Sequence, residues 1–470
     1  MGYWYNIINK IENMSSKEES TMKANMKYVY LVTTVAALGG LLFGYDTAVI
    51  AGAIGFLQSK FELSSAMTGW AASSAIWGCL FGAMFAGYAS DKLGRKKVLL
   101  ATAILFSLSA IGSALPNNLT QFVTARFIGG LGVGAASMLS PLYISEIAPA
   151  KLRGMLVSLY QLAIVLGINF VYFVNLKIAN VGTEAWNIEM GWRYMLGSEI
   201  IPALLFFILL FLVPESPRWL TLNGKEDEAA TILEKVNGKE EGRQILNEIK
   251  ETIRAEKGTL KELFATKFRR ALIIGLVLAL FSQITGINAI IYYAPEIFRD
   301  IGFGTDSALQ QTVIIGFVNT IFTFVAIYFI DRMGRRTLLL LGLSGMIICL
   351  LGTGLVFYFG HSSSLWTLIF ILGFIASFAS SLGPIPWVIM SEIFPTKIRG
   401  LAMSFATMTL WLGVVVITQF TPIMLENLGG AYTFWIFMAN AVFLLIFVYK
   451  RVPETKGRTL EEIEKSWKDK

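Results

Sequence analysis

Apolar runs of about twenty residues recur along almost the whole chain, and that is the length an α-helix needs to cross a bilayer. Twelve can be marked, at approximately 28–57, 66–90, 97–115, 119–147, 153–179 and 192–213, then 270–296, 307–330, 337–360, 364–393, 400–424 and 430–450. In hydrocarbon each backbone N–H and C=O must find its partner within the protein, which leaves only helices or a closed barrel. A barrel would show short alternating segments. The runs here are long and continuous, so the expected fold is an all-α polytopic membrane protein. Charged residues make up only 15% of the 470, against roughly 25% in soluble domains.

The formal net charge of +7 lies mostly in short loops, so it reads as membrane topology and not as nucleic-acid binding. One set of loops carries Lys92, Arg95, Lys96 and Lys97, then Lys151 and Arg153, then Arg332, Arg335 and Arg336, then Lys397 and Arg399. The alternate loops are poor in Lys and Arg. The basic set is expected to face the cytosol, and an even helix count places both termini there. Residues 1–27 lack the pattern of a signal peptide and read as a disordered cytosolic tail, with Met22 and Met26 as alternative starts. A bundle over 28–213, a Lys/Glu-rich cytosolic helical insert over 214–269, a second bundle over 270–451 and a cytosolic tail over 452–470 complete the expected plan.

Cys79 and Cys349 both lie in apolar runs, and the one histidine, His361, lies in a Ser-rich loop. No disulfide framework, metal site or cofactor is expected. No nucleophile–base pair or phosphate-binding loop points to an enzyme.

The two halves repeat each other. Asp91-Lys92-Leu93-Gly94-Arg95-Lys96 returns as Asp331-Arg332-Met333-Gly334-Arg335-Arg336. Ser145-Glu146-Ile147-Ala148-Pro149, followed by Arg153-Gly154, returns as Ser391-Glu392-Ile393-Phe394-Pro395, followed by Arg399-Gly400. Pro214-Glu215-Ser216-Pro217 returns as Pro453-Glu454-Thr455. A parallel six-helix repeat lets two bundles rock about a site at the midplane.

One costly residue stands out. Asp46, in Leu41-Leu42-Phe43-Gly44-Tyr45-Asp46, lies inside an apolar run. A central Asp costs about 2.5–3.5 kcal/mol on insertion scales, and such residues mark ion or proton paths or are buried and neutralised. Amides also occur inside the runs, among them Gln161, Asn169, Asn175, Gln283, Asn288 and Asn319, with Tyr292, Trp387 and Trp411. Each amide is either an interhelical hydrogen bond or a ligand for a polar solute. Asn288 and Tyr292 are four apart and so share a helix face.

With its paired loops and its Pro214–Leu220 and Pro453–Gly457 runs, the chain resembles the sugar porter family of the major facilitator superfamily over residues 28–460. The resemblance implies twelve helices in two six-helix bundles and alternating access for a monosaccharide without a chemical reaction. Xylose, arabinose, glucose and galactose all stay open. It implies sugar binding by Phe43, Gln161, Ser282, Gln283, Asn288, Tyr292, Asn319, Trp387 and Trp411. Ser282 replaces the first glutamine of the family's helix-7 pair. Ile168, Ala379, Leu382 and Leu410 replace polar or aromatic residues that some members carry. Asp46 resembles the acid of proton-linked members, with Arg126 as its partner, so proton-coupled symport is expected; a facilitative uniporter is the alternative. Asp91, Arg95, Glu146, Arg153, Asp331, Arg335, Glu392 and Arg399 form the expected cytosolic gate. The expected partners are a monosaccharide, a proton and the lipid bilayer, with the protein a monomer in the bacterial cytoplasmic membrane.

Overall fold

The structure, a computed structural model, describes residues 2–149, 152–254, 260–264, 266–300, 302–359, 364–394 and 398–456. The loop with His361, the chain from residue 457 and the side chain of Asp331 lie outside the described residues. The first half contains α1 (Gly2–Phe61), α2 (Ser65–Leu93), α3 (Arg95–Ala114), α4 (Leu119–Ile147), α5 (Arg153–Ala179) and α6 (Glu184–Leu212). The insert follows as α7 (Pro217–Leu222), α8 (Glu226–Asn237), α9 (Lys239–Arg254) and α10 (Leu260–Leu263). The second half contains α11 (Thr266–Ile284), α12 (Ile287–Asp300), α13 (Thr305–Met333), α14 (Arg335–Tyr358), α15 (Ser364–Ala379), α16 (Ile385–Ile393) and α17 (Arg399–Arg451).

Ten helices among the described residues are long and apolar enough to cross a membrane. One of them, α17, holds two spans, divided at Gly429 with φ 77°. A further span is interrupted: α15 stops at Ala379 and α16 resumes at Ile385, on either side of a turn that contains Pro384. The twelve expected spans are thus all found. Proline supplies no backbone N–H to the turn before it, which is why the break falls there. At the other end of the chain, residues 2–25 continue α1 as helix where the sequence analysis expects a disordered tail. That stretch holds no proline and no glycine beyond Gly2, so nothing stops the helix from propagating out of the spanning segment.

Close packing within the first half is set by small residues. A Cβ on Gly78 would lie 2.2 Å from the Phe127 carbonyl oxygen, and one on Gly82 2.2 Å from that of Leu131. From the opposite helix, a Cβ on Gly130 would lie 1.9 Å from the Ala75 oxygen and one on Gly134 2.1 Å from that of Cys79. Two small-x-x-x-small faces therefore press α2 and α4 together, the contact that works where lipid offers no hydrophobic drive. The same device joins α1 to α5, through Gly44 against Ile164 and Gly167 against Leu41. It sets Phe43 and Gln161, neighbours of these contacts, on the facing helices.

Contacts between the halves run along α2 with α17, α5 with α13 and α1 with α12. Tyr172 Oη donates to the Ile291 carbonyl at 2.7 Å, and Ser73 Oγ bonds Gln419 Oε1 at 2.6 Å. Gly55 of α1 faces Glu296 and Arg299 of α12, with the Arg299 guanidinium 5.2 Å from the centre of the Phe56 ring. Glu296, Arg299 and Ser73 lie toward the end of the bundle opposite the basic loops. The insert packs its own small core of Leu220, Ala229, Leu233 and Leu246. It is tied to α1 by Lys235, whose Nζ sits 3.7 Å from the centre of the Tyr28 ring.

Gly130→Ala should lower stability by about 1–3 kcal/mol, because backbone and not a flexible side chain opposes the new methyl. Gly154→Ala, where nothing lies within 4 Å of the added Cβ, should leave the unfolding temperature in detergent unchanged or raise it. Equal unfolding temperatures for the two variants would contradict the packing described.

Candidate functional site

Asp46 and Arg126 are both fully buried and meet between α1 and α4. Arg126 Nη1 donates to Asp46 Oδ1 at 2.6 Å and Nη2 donates to the Asp46 backbone oxygen at 2.8 Å. Gly129, one turn beyond Arg126, packs tightly against α3: a Cβ there would lie 2.2 Å from Ser109 Oγ. An isolated charge this deep would cost several kcal/mol, and the pair exists because each partner offsets that cost for the other. A third group belongs to the site. Glu199 of α6 is buried to 1% exposure and interacts electrostatically with both Asp46 and Arg126. Asp46 Oδ2 and Glu199 Oε1 receive no hydrogen bond from another donor among the described residues, and the two carboxyl groups lie against each other. One cation therefore faces two carboxyl groups. The sequence analysis missed Glu199, although the argument that found Asp46 applies to it: Ser198-Glu199-Ile200 sits inside an apolar run.

Two of the amides, Gln283 and Asn288, flank a break that the sequence did not reveal. The span divides between Ile284 and Ile287, at Gly286 with φ 96°. A Cβ on Gly286 would lie 2.4 Å from the Phe437 ring, so both backbone and space require glycine. The carbonyl of Ile284 freed by the break accepts from Asn440 Nδ2 at 3.2 Å. Residues five apart point in different directions on a straight helix. Across this break Asn288 Nδ2 reaches Gln283 Oε1 at 2.8 Å, while Gln283 Nε2 donates to Ser282 Oγ at 3.0 Å.

Gln161, Asn319 and Tyr292 make no side-chain hydrogen bond among the described residues, yet none of their polar atoms is sealed from solvent. Buried amides left this way are expensive unless water or a ligand meets them. Asn175 differs: its Nδ2 is spent on the Val49 carbonyl at 3.1 Å, so it is an interhelical bond. Phe43 and Trp411 bring the two halves together, with ring centroids 5.5 Å apart. Trp387 is half-buried on α16, just after the break.

The paired loops form two similar braces. Arg95 pairs with Glu146 through two bonds of 3.1 and 3.2 Å and reaches Asp91 at 3.0 Å. Glu146 Oε2 also accepts from Ser216 Oγ at 2.5 Å. Glu215 Oε1 accepts from the backbone N–H groups of Arg95 and Lys96 at 2.8 and 3.1 Å, capping α3. In the second half Arg335 reaches Glu392 at 3.0 Å, and Glu454 accepts from the N–H groups of Arg335 and Arg336, both at 3.0 Å. Gly94 and Gly334, at φ 102° and 90°, form the turns that admit these carboxylates. A carboxylate at a helix start meets unpaired N–H groups and the favourable end of the dipole. Each of these pairs joins residues of one half. Arg153 is exposed and pairs with no acid among the described residues, and Arg399 Nε donates to the Phe394 carbonyl at 3.2 Å. In this conformation the network braces each bundle. Glu215 and Glu454, absent from the expected gate, are its helix caps.

Residues 32–467 match the family model described as sugar (and other) transporter. The chain belongs to the sugar transporter family. It is 46% identical over 448 residues to the arabinose-proton symporter of Bacillus subtilis, covering 95% of this chain and 97% of that protein. It is 41% identical over 475 residues to the D-xylose-proton symporter of Escherichia coli, covering 94% and 96%. The solved inward open conformation of the xylose transporter XylE from E. coli superposes with a TM-score of 0.84 at 41% identity, covering 94% of this chain and all of that one. The fold is therefore the major facilitator fold of two six-helix bundles, and the chain is a multi-pass membrane protein of a transporter family.

Removing one partner of a buried pair typically costs about 3–5 kcal/mol. Asp46→Ala should be destabilised to that degree, and Asp46→Ala/Arg126→Leu should recover much of the loss in thermal unfolding. A double variant as unstable as the sum of the two singles would show that the pair is not what holds these groups.

Proposed function

We infer that this protein is a secondary active transporter that carries a pentose or hexose into the cell together with a proton, by alternating access. The single observation that carries the proton half is the buried Asp46–Arg126 pair with Glu199 beside it. With both carboxyls ionised the trio is net negative; with one proton added it is neutral. A proton is thus the natural cargo of the site, and its arrival leaves Arg126 balanced by a single carboxylate. The relatives named above as arabinose-proton and xylose-proton symporters support the same reading.

The sugar half rests on the amides and rings. Gln161, Gln283, Asn288, Asn319 and Tyr292 offer donors and acceptors that the protein leaves unspent or half-spent. Trp387, Trp411 and Phe43 offer apolar faces for the C–H side of a pyranose. Ser282 lies against them. We assign these residues to one central cavity between the halves.

The basic loops face the cytosol in this reading, together with both termini and the insert, since Lys and Arg gather on the side where they need not cross. The bundles are 28–213 and 270–451, and the protein works as a monomer in the bacterial cytoplasmic membrane. The contacts of Tyr172, Ser73, Glu296 and Arg299 between the halves then close the outer end, so the conformation opens toward the cytosol. Closing the inner end would bring the Asp91–Arg95–Glu146 brace, with Arg153, toward its counterpart of Asp331, Arg335, Glu392 and Arg399.

Purified protein in proteoliposomes should accumulate at least one of xylose, arabinose, glucose and galactose above equilibrium when the pH drives protons inward, and only equilibrate that sugar without the gradient. Uptake that never exceeds equilibrium and ignores pH would make the protein a facilitator, with Asp46 a structural partner of Arg126. No uptake of any of the four would place the substrate outside the common aldoses.

A further inference from the structure

The residue that departs from the family's glutamine pair has a role of its own. Ser282 is buried to 1% exposure, and its hydroxyl donates to the Ala279 carbonyl one turn back at 2.9 Å. A hydroxyl carries one proton, so with that proton committed the Ser282 oxygen faces Gln283 only as an acceptor. Gln283 must then turn its NH₂ toward Ser282, at 3.0 Å, and its oxygen the other way. There it receives Asn288 Nδ2 at 2.8 Å across the break at Gly286.

The chain of polarity runs in one direction, from Asn288 to Gln283 to Ser282 to Ala279. Flipping the Gln283 amide would set its oxygen against the acceptor side of Ser282 and its NH₂ against the NH₂ of Asn288. Turning it over without those contacts would require Ser282 to give up its bond to Ala279 and Asn288 to turn over as well, so the orientation with NH₂ toward Ser282 is the one that keeps all three bonds. What remains open is fixed as well: one N–H of Gln283 as donor, and the Asn288 oxygen as acceptor. A donor beside an acceptor matches two neighbouring hydroxyls of a sugar ring, one accepting and one donating.

We propose that Ser282 is a positioning residue for sugar recognition: it holds the Gln283 amide in one orientation and thereby sets which sugar hydroxyl Gln283 must donate to. A serine is too short to do what a glutamine side chain there would do, so Ser282 acts through Gln283 and not on the sugar. This proposal rests on the reading that Gln283 contacts the sugar.

The test is a double-variant cycle on the full chain, with equilibrium binding and proteoliposome uptake of whichever aldose the wild type transports. Ser282→Ala should weaken binding about 2- to 10-fold, the worth of one neutral hydrogen bond, with KM raised and maximal uptake rate unchanged. In a Gln283→Ala background the same change should cost nothing further. Monodeoxy analogues should show the same lost hydroxyl preference for Ser282→Ala as for Gln283→Ala. Ser282→Cys, nearly isosteric and a weak acceptor, gives the same reading if the alanine variant does not fold. Unchanged affinity in Ser282→Ala beside a weakened Gln283→Ala overturns the proposal alone, as does a Ser282→Ala loss that stays the same size without Gln283. Unchanged affinity in Gln283→Ala overturns the sugar-site reading and this proposal with it.

Discussion

The Asp46–Arg126 ion pair is the contact that the rest of the molecule must accommodate. Two charges with no bulk water beside them are tolerable only when their geometry is close and fixed. Here that requires α1 and α4 to hold a 2.6 Å contact in the middle of the first bundle. The glycine faces supply the tolerance. Without Gly129, Gly130 and Gly134, α4 would stand away from α2 and α3, the neighbours that hold it in place. Glu199 then adds a second buried carboxyl that the pair does not need for its own neutrality. A structural site gains nothing from a surplus buried carboxyl, whereas a site that must gain and lose a proton does.

The second bundle solves a different problem with the same means. Its polar groups are uncharged, so they need not be paired, but their orientation has to be defined. The break at Gly286 brings Asn288 back toward Gln283, and Ser282 fixes the direction of the series. The buried ion pair and the residues we assign to the sugar thus sit on different bundles, apart from Phe43 and Gln161. In the proposed mechanism, coupling between them runs through the relative position of the bundles. Phe43, three residues before Asp46, already touches Trp411 of the other half. A change of charge at Asp46 is therefore felt by a helix that also carries an aromatic contact across the interface.

Much of this was legible in the sequence, for reasons that differ by residue. The spans were readable because bilayer thickness imposes their length, and Asp46 because a charge among apolar residues has few explanations. Gly429 and the turn before Pro384 needed coordinates for their details, but glycine and proline already marked the places. Glu199 was equally legible and was passed over. The break at Gly286 was not legible: a glycine inside an apolar helix is common, and only its φ of 96° and the Phe437 ring against it show that no other residue fits. The roles of Glu215 and Glu454 were hidden as well, because they cap helices more than a hundred positions away in sequence. Periodicity speaks only to neighbours along the chain. The basic loops read as a gate from sequence mostly through the family resemblance, while the structure pairs Arg95 with Asp91 and Glu146, and Arg335 with Glu392, each within its own half.

The central claim is that the carboxyl of Asp46 carries the proton that moves with sugar. It is tested most directly by recording external pH in a lightly buffered suspension of proteoliposomes while the transported sugar is added without any preset gradient. Wild-type protein should alkalinise the medium as sugar enters. Asp46→Asn, which keeps the shape and loses the titratable group, should give no pH change while still exchanging labelled for unlabelled sugar. Alkalinisation by Asp46→Asn at the wild-type rate would contradict the account.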